Sequence, residues 1–136
     1  MTIALIDDQQ PILKLYSAML VKAGAIKSND SLYTYSDGTE FLTVIQEEPS
    51  KFDVVICDQN LGKDQIEGLD ILRGMINVGF QGKAILLTGD NSDWMKKQME
   101  EVPTIDYVLK GSRSEENNPY VVLTKILNTY RKQFNN

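Results

Sequence analysis

The chain contains no histidine, one cysteine, one tryptophan and four prolines. Without histidine, Ser–His and Cys–His nucleophile pairs and histidine-bound metals are excluded. A lone Cys57 can build neither a disulfide framework within the chain nor a cysteine zinc site. Basic residues are scarce too: 14 Lys and Arg stand against 19 Asp and Glu, a net charge of −5. A nucleic-acid face needs the opposite balance, so nucleic acid is excluded as a partner class. Long apolar runs are missing. None approaches the ~20 residues that span a bilayer. The opening MTIALI is stopped by Asp7 and Asp8 and has no basic stretch before it, unlike a secretory leader. A reducing, cytoplasmic setting without membrane contact is expected. Any chemistry must rest on carboxylates, Lys, Ser/Thr, Tyr or the backbone.

What is present fits one domain. The length is 136 residues and 42% are hydrophobic, enough for a single core over residues 1–136. Consecutive apolar residues predict buried strands at Thr2–Asp7, Phe52–Cys57 and Lys83–Thr88, with a further strand at Ile105–Leu109 and a weakly apolar one at Ser31–Tyr35. Helical spacing falls between them. Gln10-Pro11 opens the first helix, whose inward residues include Leu13, Leu15 and Leu20, with Gly24 at its end. Asp37 caps the second, which carries Phe41, Leu42 and Ile45 and ends by Pro49. Leu61–Gly68 reads as a polar loop before the helix of Leu69, Leu72, Met75 and Ile76. Asp90–Val102 is a helical window with Met95 and Met99 one turn apart. Asn118-Pro119 opens the last helix, with Leu123, Leu127, Tyr130 and Phe134 facing inward. Glu115 and Glu116 read as a solvated loop, and Cys57 and Trp94 carry no chemistry. Five strand–helix pairs predict an α/β fold, a parallel sheet covered on both sides and doubly wound.

In such a sheet, ligands bind beyond the carboxyl ends of the strands. The residues there are Asp7 and Asp8, Ser36 and Asp37, Asp58, Thr88-Gly89-Asp90, and Lys110. Asp37 is explained by capping. The others form a pattern: an acid pair, an acid, a hydroxyl and an ammonium, each closing a different apolar strand. Asp7, Asp8 and Asp58 would repel one another if adjacent. A hard divalent cation with oxygen ligands relieves that repulsion, and Mg²⁺ suits it best. Lys110 can pair with a carboxylate, Thr88 can donate to an anionic oxygen, and Gly89 leaves its N–H open to an anion.

The motifs LIDD (Leu5–Asp8), VVICD (Val54–Asp58), ILLTG (Ile85–Gly89) and YVLKG (Tyr107–Gly111) resemble those of the receiver domain of two-component response regulators. The resemblance covers residues 2–134. It implies a flavodoxin-like sheet of strand order 2-1-3-4-5. It further implies that Asp58 is the phosphoacceptor, with Asp7, Asp8, Asp58 and the Asn60 carbonyl around Mg²⁺. Thr88, Gly89 and Lys110 would bind the phosphoryl group, and Thr88 and Tyr107 would form the switch. The protein would be a signalling component rather than an enzyme. Its donor would be a phosphohistidine of a sensor histidine kinase or histidine phosphotransfer protein. A chain without histidine must receive that group in trans. The output would be a changed surface for a downstream target protein, with dimerisation through the last two units left open.

The sequence departs from the family at two places. Gly111 follows Lys110 where proline with a cis peptide is usual, and a cis bond before a non-proline is costly. The loop from Asp58 to Gly68 is two residues longer, lacks its usual proline and carries Gly62-Lys63-Asp64. Two other classes compete. A pseudo-receiver would be a protein-interaction module that is never phosphorylated. A haloacid-dehalogenase-like phosphatase needs a second Asp two residues after its nucleophile, and neither Asp8-Gln9-Gln10 nor Asp58-Gln59-Asn60 supplies it.

Overall fold

The apolar runs become five parallel strands: β1 (Thr2–Ile6), β2 (Ser31–Tyr35), β3 (Val54–Asp58), β4 (Lys83–Thr88) and β5 (Ile105–Leu109). This computed structural model describes residues 1–111 and 117–134; Glu115 and Glu116 lie outside the described residues. The sheet order is β2-β1-β3-β4-β5. Between the strands run α1 (Gln10–Lys22), α2 (Gly38–Glu47), α3 (Gly68–Asn77) and α4 (Asp93–Glu100), and α5 (Pro119–Phe134) follows β5.

Side chains alternate across the sheet and divide the core in two. Ala4, Ile6, Val55, Cys57, Ala84 and Leu86 pack against α2, α3 and α4 through Phe41, Ile45, Leu72, Met75, Met95 and Met99. Ile3, Leu5, Val54, Ile56, Ile85 and Leu87 pack against α1 and α5 through Leu13, Leu20, Leu123 and Leu127. Strands with helices on both faces have no polar side, which is why their sequence is continuously apolar. β2 stands at the edge, and its residues are mostly exposed or half-buried.

Several expected boundaries and faces shift. Phe52 lies outside β3, because Asp53 anchors the strand entry: its carboxylate accepts from Thr2 N–H (2.7 Å) and its carbonyl from Lys83 N–H (2.9 Å). The Phe52 ring joins Tyr33, Tyr35 and Phe41 instead. α4 is shorter than its window. The Asp90 carboxylate accepts from Ser92 N–H (2.8 Å), and Ser92 Oγ accepts from Met95 N–H (3.2 Å), so the helix starts at Asp93. Leu15 was expected inward but is 51% exposed; it sits two residues, about 200° of helix, from buried Leu13. Phe134 was also expected inward and is 48% exposed, its ring beside Tyr130. At about 24 Å, α5 outlasts the strand of about 17 Å that it covers. Trp94 is exposed, while Met95 and Met99 are core.

Candidate functional site

Strand register determines which residues meet. Ile6 is paired with Cys57, so Asp7 and Asp58 leave the sheet side by side. Asp58 is paired with Leu87, and Thr88 with Leu109, which places Thr88 and Lys110 next along the same edge. Lys110 N–H donates to the Thr88 carbonyl (2.9 Å), and Gln59 N–H to that of Leu87 (2.8 Å). The strand ends are therefore locked to one another up to the last residue.

Asp7, Asp8 and Asp58 each offer a carboxylate oxygen within 4.8 Å of the other two. Asp7 and Asp58 are buried, while Asp8 opens towards solvent. Lys110 Nζ lies 2.8 Å from Asp58 Oδ1. Asn60 N–H approaches the same oxygen at 3.4 Å. These five residues line one cleft of about 360 Å³, together with Tyr16 and Lys63 among others. Burial pushes the Asp7 carboxyl up to about 7; the Gln9 N–H opposes this, and the neighbouring Asp58 charge adds to it. The Tyr16 phenol is raised to about 12 by burial, with Tyr120, Asp58 and Asp7 contributing. The oxygen-only acidic set is the kind of donor group that a hard divalent cation takes.

Thr88 ends β4, Gly89 follows it and Tyr107 lies on β5, all outside that cleft's lining. Thr88 is buried, and its hydroxyl accepts from Asp90 N–H (3.0 Å). The Tyr107 hydroxyl donates to the Asp90 carbonyl. One peptide residue thus holds both side chains. Gly89 is exposed, and a Cβ there would meet nothing within 4 Å, so its glycine has no steric cause in this conformation. The same is true of Gly111, and no described peptide bond is cis. With Gly111, Lys110 reaches Asp58 across a trans peptide.

Sequence reasoning missed Gly68. A Cβ on it would lie 2.1 Å from the Asp58 carbonyl oxygen, and its N–H donates to Gln59 (3.0 Å). Gly68 therefore lets α3 start directly against the end of β3. Gln59 assists: its Oε1 accepts from Leu69 N–H (2.8 Å). The glycine was visible in the sequence, but its reason is a contact with a carbonyl ten residues earlier. Tyr16 was also missed as part of the cleft, since it belongs to neither a strand end nor an acid pair; Asp90 was placed at the end of the fourth strand, but its hold on Thr88 and Tyr107 was not foreseen.

The model of the response regulator receiver domain matches residues 3–118. No curated protein matches the chain. Among solved structures, a receiver domain protein of Clostridium thermocellum is 23% identical with a TM-score of 0.70, covering 98% of each chain. The Vibrio cholerae chemotaxis protein CheY4 is 23% identical with a TM-score of 0.68, over 95% of this chain and 97% of that one. The BeF3-activated receiver domain of DrrB, from Thermotoga maritima, is 27% identical with a TM-score of 0.70, over 96% and 97%. Strand order, the converging strand ends and the family match agree: this chain belongs to the response regulator receiver domain family and is a module of two-component phosphoacceptor signalling.

Proposed function

We propose that Asp58 accepts a phosphoryl group from a phosphohistidine of a sensor histidine kinase or histidine phosphotransfer protein. The observation that carries this reading is the buried Asp58 carboxylate 2.8 Å from Lys110 Nζ and within 4.8 Å of Asp7 and Asp8. An Asp58 carboxylate oxygen attacks phosphorus as the P–N bond breaks. The bond pair returns to the ring nitrogen of an imidazole that already carries a proton on its other nitrogen and so leaves neutral, and an acyl phosphate remains on Asp58. Such a transfer needs positioning and charge neutralisation more than acid–base help. Lys110 supplies one positive charge at the attacked group. Asp7, Asp8, Asp58 and the Asn60 carbonyl would hold Mg²⁺, which would supply two further positive charges. The Thr88 hydroxyl and Gly89 N–H would receive phosphoryl oxygens.

In this reading residues 1–136 act as one cytoplasmic receiver that works through contacts with proteins. Thr88 gives up its bond to the Asp90 N–H as it turns to the phosphoryl group. The Asp90 peptide then shifts, Tyr107 follows it, and the surface around α4, β5 and α5 changes for a downstream target.

Acetyl phosphate with Mg²⁺, followed by intact mass measurement, tests the first step. One added phosphate, lost in Asp58→Asn, is expected. No added mass in the wild type would leave a binding module that is never phosphorylated.

A further inference from the structure

The longer loop after Asp58 is a built turn. Gly62 N–H donates to Asn60 Oδ1 (3.2 Å), and Gln65 N–H to the Gly62 carbonyl (3.4 Å). Lys63 and Asp64 form its tip. Asp64 holds a φ of 62° and Gly62 one of 108°, in the left-handed region that favours glycine. Gly62 also presses on the acidic site: a Cβ there would lie 3.1 Å from Asp8 Oδ2. The turn therefore rests against Asp8, and Lys63 lines the same cleft as Asp7, Asp8, Asp58 and Lys110. Lys63 makes no ion pair among the described residues, whereas Lys110 is already committed to Asp58.

Charge counting gives this position meaning. A phosphoryl dianion on Asp58, with ionised Asp7 and Asp8, puts four negative charges in the cleft. A divalent cation and Lys110 answer three of them. We propose that Lys63 is a second phosphoryl-binding cation, supplied by the turn, that contacts the phosphoryl group on Asp58 in addition to the strand-borne Lys110. Its long stem and three rotatable donors suit a group that must reach an anion arriving from solvent. The inference rests on the phosphoacceptor reading and assigns that site a residue beyond the strand-end set.

The test is a calorimetric titration of the whole chain with beryllofluoride at saturating Mg²⁺, and separately with Mg²⁺ alone. Wild type, Lys63→Ala and Lys63→Arg are compared. Lys63→Ala should bind beryllofluoride about fivefold more weakly at low salt, the effect of one exposed charge contact. Lys63→Arg should restore binding. The difference should shrink as salt rises to about 0.5 M, because an exposed charge is screened. Mg²⁺ affinity should stay level or tighten, since a nearby positive charge has been removed. Unchanged beryllofluoride binding in Lys63→Ala overturns this inference alone. So does a parallel loss of Mg²⁺ binding, which would mark a collapsed turn. Wild type that takes up no beryllofluoride overturns the phosphoacceptor reading and this inference with it.

Discussion

Asp7 is the carboxylate of the cleft on which pH acts. Its folded value near 7 lies above the ordinary 3.8, so the metal-free fold prefers it neutral. The stability this gives is complete below about pH 4 and is lost as pH rises to about 7. Thermal melts in chelator should show the wild type losing stability over that window relative to Asp7→Asn, which should melt higher at pH 8. Mg²⁺ must displace the same proton, so its affinity should rise through neutrality in a calorimetric titration and level off above it. Asp7, Asp8, Asp58 and Lys110 were legible in the sequence because each closes an apolar run and a parallel sheet gathers such ends. The close approach at Gly68 was not, and for Lys63 only the loop that carries it was. The place of one depends on a carbonyl across the loop, and that of the other on two left-handed backbone angles.

The connections between elements carry the next consequences. α3 begins against β3 only because Gly68 has no side chain. Gly68→Ala must move either the Asp58 carbonyl or the helix, and should cost about 3 kcal/mol in denaturant unfolding. It should also weaken Mg²⁺ binding, since Asp58 sits on the same peptide. The β4–α4 connection ties Thr88 and Tyr107 to Asp90. Adding beryllofluoride with Mg²⁺ should therefore shift the Asp90 amide in an NMR spectrum, and Thr88→Ala should suppress that shift. An Asp90 resonance that ignores the ligand in the wild type would remove the proposed switch. Three strands could be read from unbroken apolar runs, because helices cover both faces, and β5 from a mainly apolar run broken by Asp106. The start of α4 could not, because side-chain bonds of Asp90 and Ser92, rather than periodicity, decide it. α5 and α1 could be placed by periodicity, yet their outward residues Leu15 and Phe134 look as apolar as their inward ones.

Across the whole molecule, the last helix is tied to the first third of the chain through Asp30. This buried carboxylate takes the Met1 ammonium (2.8 Å), Lys27 N–H (2.8 Å) and Arg131 Nη2 (2.6 Å), and Arg131 also donates to the Ala25 carbonyl (3.1 Å). Burial works to raise the Asp30 carboxyl, but these partners outweigh it and hold it below the ordinary value. Its contribution is present above about pH 4 and is lost as pH falls further, the opposite sense to Asp7. Arg131→Met should cost about 2 kcal/mol in urea unfolding, less than a fully orphaned buried charge because two partners of Asp30 remain. The opposite end of the sheet behaves differently. There, three crowded carboxylates face one ammonium, and the fold is held together in spite of them. Under the proposed function, thermal resistance and signalling therefore compete for Asp7. Unbiased selection of this chain for heat tolerance in the absence of metal would first return replacements at Asp7, whose buried charge no cation of its own answers.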